Sequence, residues 1–235
     1  MGITAEKKKE VAEKFASLVR KNLRLIVAVG CLLLFLAILE DVYDVESMKL
    51  DRAAYWLIVE HLRTPWLTPV MESFSALATP VTLVVLLLAV AAFAPGRRPG
   101  LCCAVNLVLV VVINQVLKFI IQRPRPDGFR LASASGFSFP SGHSMVAMAF
   151  FGLLAWMVWR YEQDRRLRHL YAAGFALVIV MIGVSRIYLG VHYASDVLGG
   201  FCLSMAWLAV YTRVAVPLFI EGERLEEPAE KPAQP

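Results

Sequence analysis

Apolar runs about as long as a bilayer crossing recur along this chain, and they limit its fold more than any other feature. A helix that spans the hydrocarbon core needs about 20 predominantly apolar residues. Such stretches lie at 23–39, 70–94, 101–121, 142–160, 168–188 and 195–219. They predict six transmembrane helices, hence an all-α integral membrane bundle, because only a helix or a closed barrel satisfies its own backbone in lipid. Of the 235 residues, 58% are hydrophobic, above the roughly 45–50% of soluble domains. No stretch is left over to build a separate soluble core. The expected organisation is a basic N-terminal segment over 1–22, a six-span domain over 23–219 and a tail over 220–235. The second run is the least clean, since Glu72, Ser73, Ser75, Thr79 and Pro80 interrupt its first half.

The net charge is +5, and its placement carries orientation, because lysine and arginine favour the cytoplasmic side of a membrane. With an even number of spans, 16 of the 24 lysines and arginines fall on the side of the termini and 8 on the other. Both termini are therefore expected in the cytoplasm. Lys118, Arg123, Arg125, Arg130 and Arg186 belong to the minority side, where they cluster; Lys49, Arg52 and Arg63 complete it. Ahead of the first span, Val11, Phe15, Leu18 and Asn22 fall on one helical stripe among lysines, the pattern of an amphipathic helix lying on the inner surface. The tail from Glu221 to Pro235 is rich in Glu and Pro and is expected to be disordered.

Cys31, Cys102, Cys103 and Cys202 all fall inside apolar runs without paired spacing, so they read as packing residues. The four histidines show no metal-binding spacing on a shared helix. The expectation is a mechanism with no metal and no other cofactor. His61 and His169 read as surface residues.

Three clusters should meet in one layer at the ends of successive spans: Lys118 to Pro126, Pro140 to His143, and Ser185 to Asp196. Lys118, Arg125 and Arg186 would bring three cationic groups together, which is costly near a membrane unless an anion occupies the site. Arginine matches tetrahedral oxygens two at a time and lysine adds a point charge, so phosphate, sulfate or vanadate would fit. Ser141 and the Gly142 amide stand at a helix N-terminus, where free N–H groups favour an anion, although a serine there can also serve simply as a cap. His192 and Asp196 are four apart, and a carboxylate on Nδ1 would leave Nε2 free as a nucleophile. His143, from another helix, could donate a proton to a departing alkoxide.

As they stand, KFIIQRPRP (118–126), PSGH (140–143) and SRIYLGVHYASD (185–196) resemble the three-part signature of the type 2 phosphatidic acid phosphatase superfamily. The match holds in order and spacing at eleven fixed positions. This resemblance implies that Lys118, Arg125 and Arg186, with Ser141 and the Gly142 backbone, hold phosphate. It also implies that His192 is the nucleophile, Asp196 its orienting partner and His143 the acid, without a metal. Arg123-Pro124 duplicates Arg125-Pro126; the spacing favours Arg125, and Arg123 is a secondary candidate for a second phosphate or for pairing with Asp127.

Size and span number look like bacterial enzymes that hydrolyse phosphatidate, phosphatidylglycerophosphate or undecaprenyl diphosphate. The expected partners are a lipid phosphate and the bilayer, with no nucleic acid, in a bacterial plasma membrane with the site on the outer face. Three other readings are a soluble vanadate-type haloperoxidase, which six spans disfavour; a phosphotransferase sharing the first half-reaction; and a lipid-binding protein that has kept the fold without the chemistry.

Overall fold

The computed structural model describes residues 5–44, 48–94, 98–128 and 130–221. Helices account for nearly all of it: α1 (Ala5–Tyr43), α2 (Lys49–Ala54) running into a π-helical stretch (Tyr55–His61), α3 (Thr68–Ala76), α4 (Pro80–Phe93), α5 (Arg98–Ile121), α6 (Gly142–Tyr161), α7 (Arg165–Tyr188) and α8 (Ala194–Val216). No strand occurs among the described residues.

Among the described residues, five helices are long and apolar enough to cross a membrane: Lys21–Tyr43, Arg98–Ile121, Gly142–Tyr161, Arg165–Tyr188 and Ala194–Phe219. The irregular run over 70–94 is broken into two helices that are long and apolar enough only when taken together. Helices α3 and α4 meet at a bend of 57°. Pro80 explains the position of the break, because proline disfavours helical backbone at the residue before it. Thr79 is accordingly extended, at φ −77° and ψ 152°, and Pro80 opens α4.

The basic segment expected to lie along the membrane surface is instead continuous with the first span in one 39-residue helix. At 1.5 Å per residue, that helix is about 58 Å long. Leu18 is exposed and Asn22 half-buried, while Val11 and Phe15 of the expected stripe lie outside the described side chains. The tail beyond Glu221 is likewise outside the described residues.

Helix α6 is the centre of the bundle, packed against α5, α7 and α8. Met145, Ala147, Ala149, Phe150, Phe151 and Leu153 on it are buried, with Val110, Ile182 and Tyr211 around them. Small residues let the helix backbones approach closely. A Cβ on Gly200 of α8 would stand 3.0 Å from the Ser141 carbonyl oxygen, and one on Gly183 of α7 only 2.7 Å from Val197 Cγ1. Inside the bundle, Asn106 donates to the Ala149 carbonyl at 2.8 Å and accepts from the Trp207 indole at 2.8 Å. The opposite faces are apolar and exposed, as lipid contact requires; Phe93 is 90% and Phe119 74% exposed. Cys102, Cys103 and Cys202 are buried free thiols and Cys31 is half-buried, consistent with packing roles.

The C-terminal ends of α1, α5 and α7 and the N-terminal ends of α6 and α8 gather on one side of the bundle. Short segments tie that end together. Arg63 donates to the Tyr188 carbonyl, and the Tyr188 hydroxyl donates to the Thr64 carbonyl at 2.9 Å. Arg63 is thus a brace between the segment ahead of α3 and the end of α7.

Candidate active site

His192 lies in the short connection between α7 and α8 and is 4% exposed. Gly190, at φ +74°, makes the turn that precedes it. The imidazole is held from both sides: Nδ1 is 3.2 Å from Asp196 Oδ2, and Nε2 is 3.2 Å from an Arg125 terminal nitrogen. A guanidinium can only donate, so the Arg125 contact requires a lone pair on Nε2 and places the ring proton on Nδ1, facing the carboxylate. Burial pulls the imidazole pKa down to about 4, helped by Arg125 and Arg186 and opposed by Asp196. The ring is therefore neutral at physiological pH, the form a nucleophile needs.

Asp196 sits on the first turn of α8 and is fully buried. Its Oδ2 also accepts the Tyr193 backbone N–H at 2.9 Å, which caps the helix start. Its backbone carbonyl accepts from Ser141 N at 3.0 Å, joining the PSGH segment to the histidine connection.

Arg125 lies in the connection between α5 and α6. Its guanidinium reaches three carbonyl oxygens: Gly136 at 3.0 Å, Ser135 at 2.9 Å and Val191 at 2.8 Å. Burial lowers its pKa, Asp196 opposing and Arg130 adding to the effect. Arg186, on the last turn of α7, is 5% exposed and donates to the Ser75 hydroxyl of α3. Its Nε is buried without a hydrogen-bond partner among the described residues. A buried guanidinium N–H without a partner is costly; an anion in the site would supply the missing acceptor.

Lys118, on the last turn of α5, lies in the field of Arg125, Arg186 and Asp196. His143, on the first turn of α6, lies in that of Arg186, His192, Lys118 and Arg125. The Ser141 hydroxyl caps α6, accepting from Ser144 N at 3.4 Å and meeting Ser144 Oγ at 3.0 Å. At Gly142, an added Cβ would come within 3.0 Å of Asn114 Oδ1, so the residue allows a close approach between α5 and α6. The eight primary residues picked from sequence converge on one layer.

Arg123 behaves differently from its expectation. It does not pair with Asp127; its two terminal nitrogens engage Asp196 Oδ1 at 2.6 Å and Asp51 Oδ2 at 2.9 Å. The two carboxylates are buried, and a buried carboxylate without a cation is far costlier than a solvated one, so the pairing follows. His61 and His169 are exposed, each bonding a nearby backbone carbonyl of its own helix.

Sequence reasoning missed Asp51, Ser75, Asn114 and Ser195. Ser75 had left a signal as a polar interruption of an apolar span. Ser195 stands inside the third motif; Asp51 belongs to no motif. Asn114 donates to the Pro140 carbonyl at 3.0 Å and so holds the start of the PSGH segment.

A cavity of about 730 Å³ opens beside Arg123, with Asp41, Asp51, Tyr55, Trp56, Arg123 and Tyr193 on its walls. Lys118, Arg125, His143, Arg186 and His192 do not line it.

A model of the PAP2 superfamily matches residues 99–219. Phosphatidylglycerophosphatase B of Bacillus subtilis (strain 168) is 34% identical over 151 residues, which covers 61% of this chain and 73% of that protein. Undecaprenyl-diphosphatase of Sulfolobus acidocaldarius is 26% identical over 138 residues, covering 55% of this chain and 59% of that protein. Among solved structures, a transmembrane PAP2-type phosphatidylglycerolphosphate phosphatase from Bacillus subtilis superposes with a TM-score of 0.72. That structure shares 30% identity, covering 80% of this chain and 96% of its own.

Proposed function

The chain belongs to the PAP2 superfamily and is a membrane phosphatase; from that premise we propose that it dephosphorylates a lipid through a phosphohistidine on His192. The observation that carries the proposal is the double grip on one buried ring: Nδ1 toward Asp196, and the Nε2 lone pair toward Arg125. In the resting site a guanidinium N–H occupies the position that phosphorus would approach.

In the first half-reaction the Nε2 lone pair forms a bond to phosphorus and the bond to the lipid oxygen breaks. His143 supplies the proton which that oxygen takes up, since an alkoxide leaves poorly at neutral pH. Lys118, Arg125, Arg186 and the N-terminus of α6 at Ser141 and Gly142 balance the charge spread over the phosphoryl oxygens. The imidazole gains positive charge as it attacks, and Asp196 stabilises that charge through the Nδ1 proton. In the second half-reaction water attacks the phosphohistidine, gives its proton to His143 and releases inorganic phosphate. No step calls for a metal.

The substrate is a lipid phosphomonoester or diphosphate, with phosphatidylglycerophosphate, phosphatidate and undecaprenyl diphosphate as the candidates. The names of the relatives support the first and third of these. The charge asymmetry supports both termini in the cytoplasm of a bacterial plasma membrane, with the site on the outer face.

The test is phosphate release by the detergent-purified protein with EDTA present, wild type against His192→Ala, on those three lipids. The wild type is expected to release phosphate and to rank the lipids, and His192→Ala to release none. Substantial release by folded His192→Ala would overturn the phosphohistidine step.

A further inference from the structure

Arg123 was a candidate for a second phosphate contact, yet both of its terminal nitrogens turn to side chains of the protein. One terminal nitrogen reaches both Ser195 Oγ at 2.7 Å and Asp196 Oδ1 at 2.6 Å, which uses both of its hydrogens. The other reaches Asp51 Oδ2 at 2.9 Å. The guanidinium lies 4.2 Å from the centre of the Tyr193 ring.

Asp51, on α2, is buried and bound from the same side. It accepts the Ser195 backbone N–H at 2.8 Å and the Ser195 hydroxyl at 2.7 Å. A carboxylate from one helix thus caps the first turn of another, where free N–H groups favour negative charge. The backbone before α6 closes the arrangement: Ser138 N donates to the Arg123 carbonyl at 2.9 Å.

We propose that Arg123 and Asp51 are positioning residues, a buried guanidinium–carboxylate clamp that fixes the Asp196 carboxylate and, through it, the ring and tautomer of His192. The geometry follows from how Asp196 divides its two oxygens. Oδ1 is taken by Arg123, and Oδ2 is left for Tyr193 N at 2.9 Å and His192 Nδ1 at 3.2 Å. With Oδ1 pinned, the carboxylate cannot turn away from the imidazole. The fork is what matters: lysine would keep the charge at Arg123 but could not hold two carboxylates and a hydroxyl in one plane. The clamp brings together α2, the connection after α5 and the first turn of α8, so it forms only when the segment after α1 has docked.

This inference rests on the reading of His192 as nucleophile, and the experiment separates the two. Full-length Arg123→Lys and Asp51→Asn are compared with wild type for release of phosphate from a short-chain phosphatidate in detergent. In parallel, 15N-histidine-labelled samples report the His192 tautomer, its signals assigned by their loss in His192→Gln. Disturbing a group that orients a catalytic ligand or base typically lowers activity about 10- to 100-fold. The expected result is a fall of that size in kcat with KM within about twofold. The His192 nitrogen signals should shift toward averaged positions as the second tautomer becomes populated. Unchanged kcat, a rise in KM alone, or lost kcat with unmoved His192 signals would each overturn the clamp. The second result would mean that Arg123 touches substrate, and the third that the pair is merely structural. If Arg123→Lys does not fold, the near-isosteric Asp51→Asn carries the same comparison. If the wild type itself releases no phosphate, the functional reading fails, while the nitrogen spectra still decide whether the clamp sets the tautomer.

Discussion

Removing the Arg125 side chain should separate turnover from folding, and the structure gives a size for each effect. The guanidinium bonds three backbone carbonyls and approaches His192 Nε2. Ser135 and Gly136 are exposed, so in Arg125→Ala their carbonyls can turn to water at little cost. Val191 is completely buried, and its carbonyl loses this donor without access to solvent. One buried acceptor left unsatisfied costs about 1–3 kcal/mol. That loss lowers stability measurably but leaves a bundle of this size folded. In the transition state, loss of one preorganised donor typically costs about 2.7–4 kcal/mol, so turnover should fall by roughly two to three orders of magnitude. The assay is initial-rate phosphate release in detergent with EDTA, alongside thermal unfolding of the same preparation. A folded Arg125→Ala protein with kcat/KM within about fivefold of wild type would refute the assignment, because an effect under 1 kcal/mol is too small for a donor to the transferring phosphoryl group.

Three further outcomes are expected. His192 stays neutral in the folded protein down to about pH 4, whereas in the unfolded chain it protonates near its ordinary value of about 6.5. Between those values the unfolded state binds more protons. Stability should therefore decline as pH falls from about 6.5 toward 4, and His192→Gln should flatten that decline in a pH series of melting temperatures. Ser75→Ala removes the hydroxyl that Arg186 engages, and should lower kcat/KM by about tenfold, in line with a net charged hydrogen bond of about 1.5 kcal/mol; an unchanged value would show that Arg186 needs no support from α3. Gly199→Ala would push a methyl to within 2.7 Å of the buried Phe139 ring. Overpacking of this kind costs about 1–3 kcal/mol, read as a lower melting temperature, with activity falling too because Phe139 leads directly into Pro140 and Ser141.

The parts of this fold that follow from local composition were legible beforehand. Clean apolar runs became α5, α6, α7 and α8 with boundaries a few residues from those expected. The motif residues converged because each stood at the same end of its span, a consequence of the alternating direction of successive helices. Less legible was anything set by contact between distant segments. Asp51 carries no spacing signature, since its partners are 72 and 144 positions away in sequence. Arg123 and Arg125 repeat the same dipeptide, and nothing local tells which one reaches the His192 ring and which one faces the acids. The continuity of α1 through residue 22 was hidden as well, because a lysine-rich stripe is compatible with a helix that lies flat and with one that projects.

The broken span also says which parts of this protein could be traded with another membrane protein. Along α4, Val81, Val84, Val85 and Leu88 are between 55% and 77% exposed, and any apolar side chain of similar size would serve a lipid-facing position there. The bend at Thr79 and Pro80 is not interchangeable in the same way, since it sets the direction from which α3 brings Ser75 to Arg186. A chimera that replaced residues 68–93 with a straight helix of equal hydrophobicity would insert, cross and pack, and would still leave the deepest arginine of the site without its neighbour.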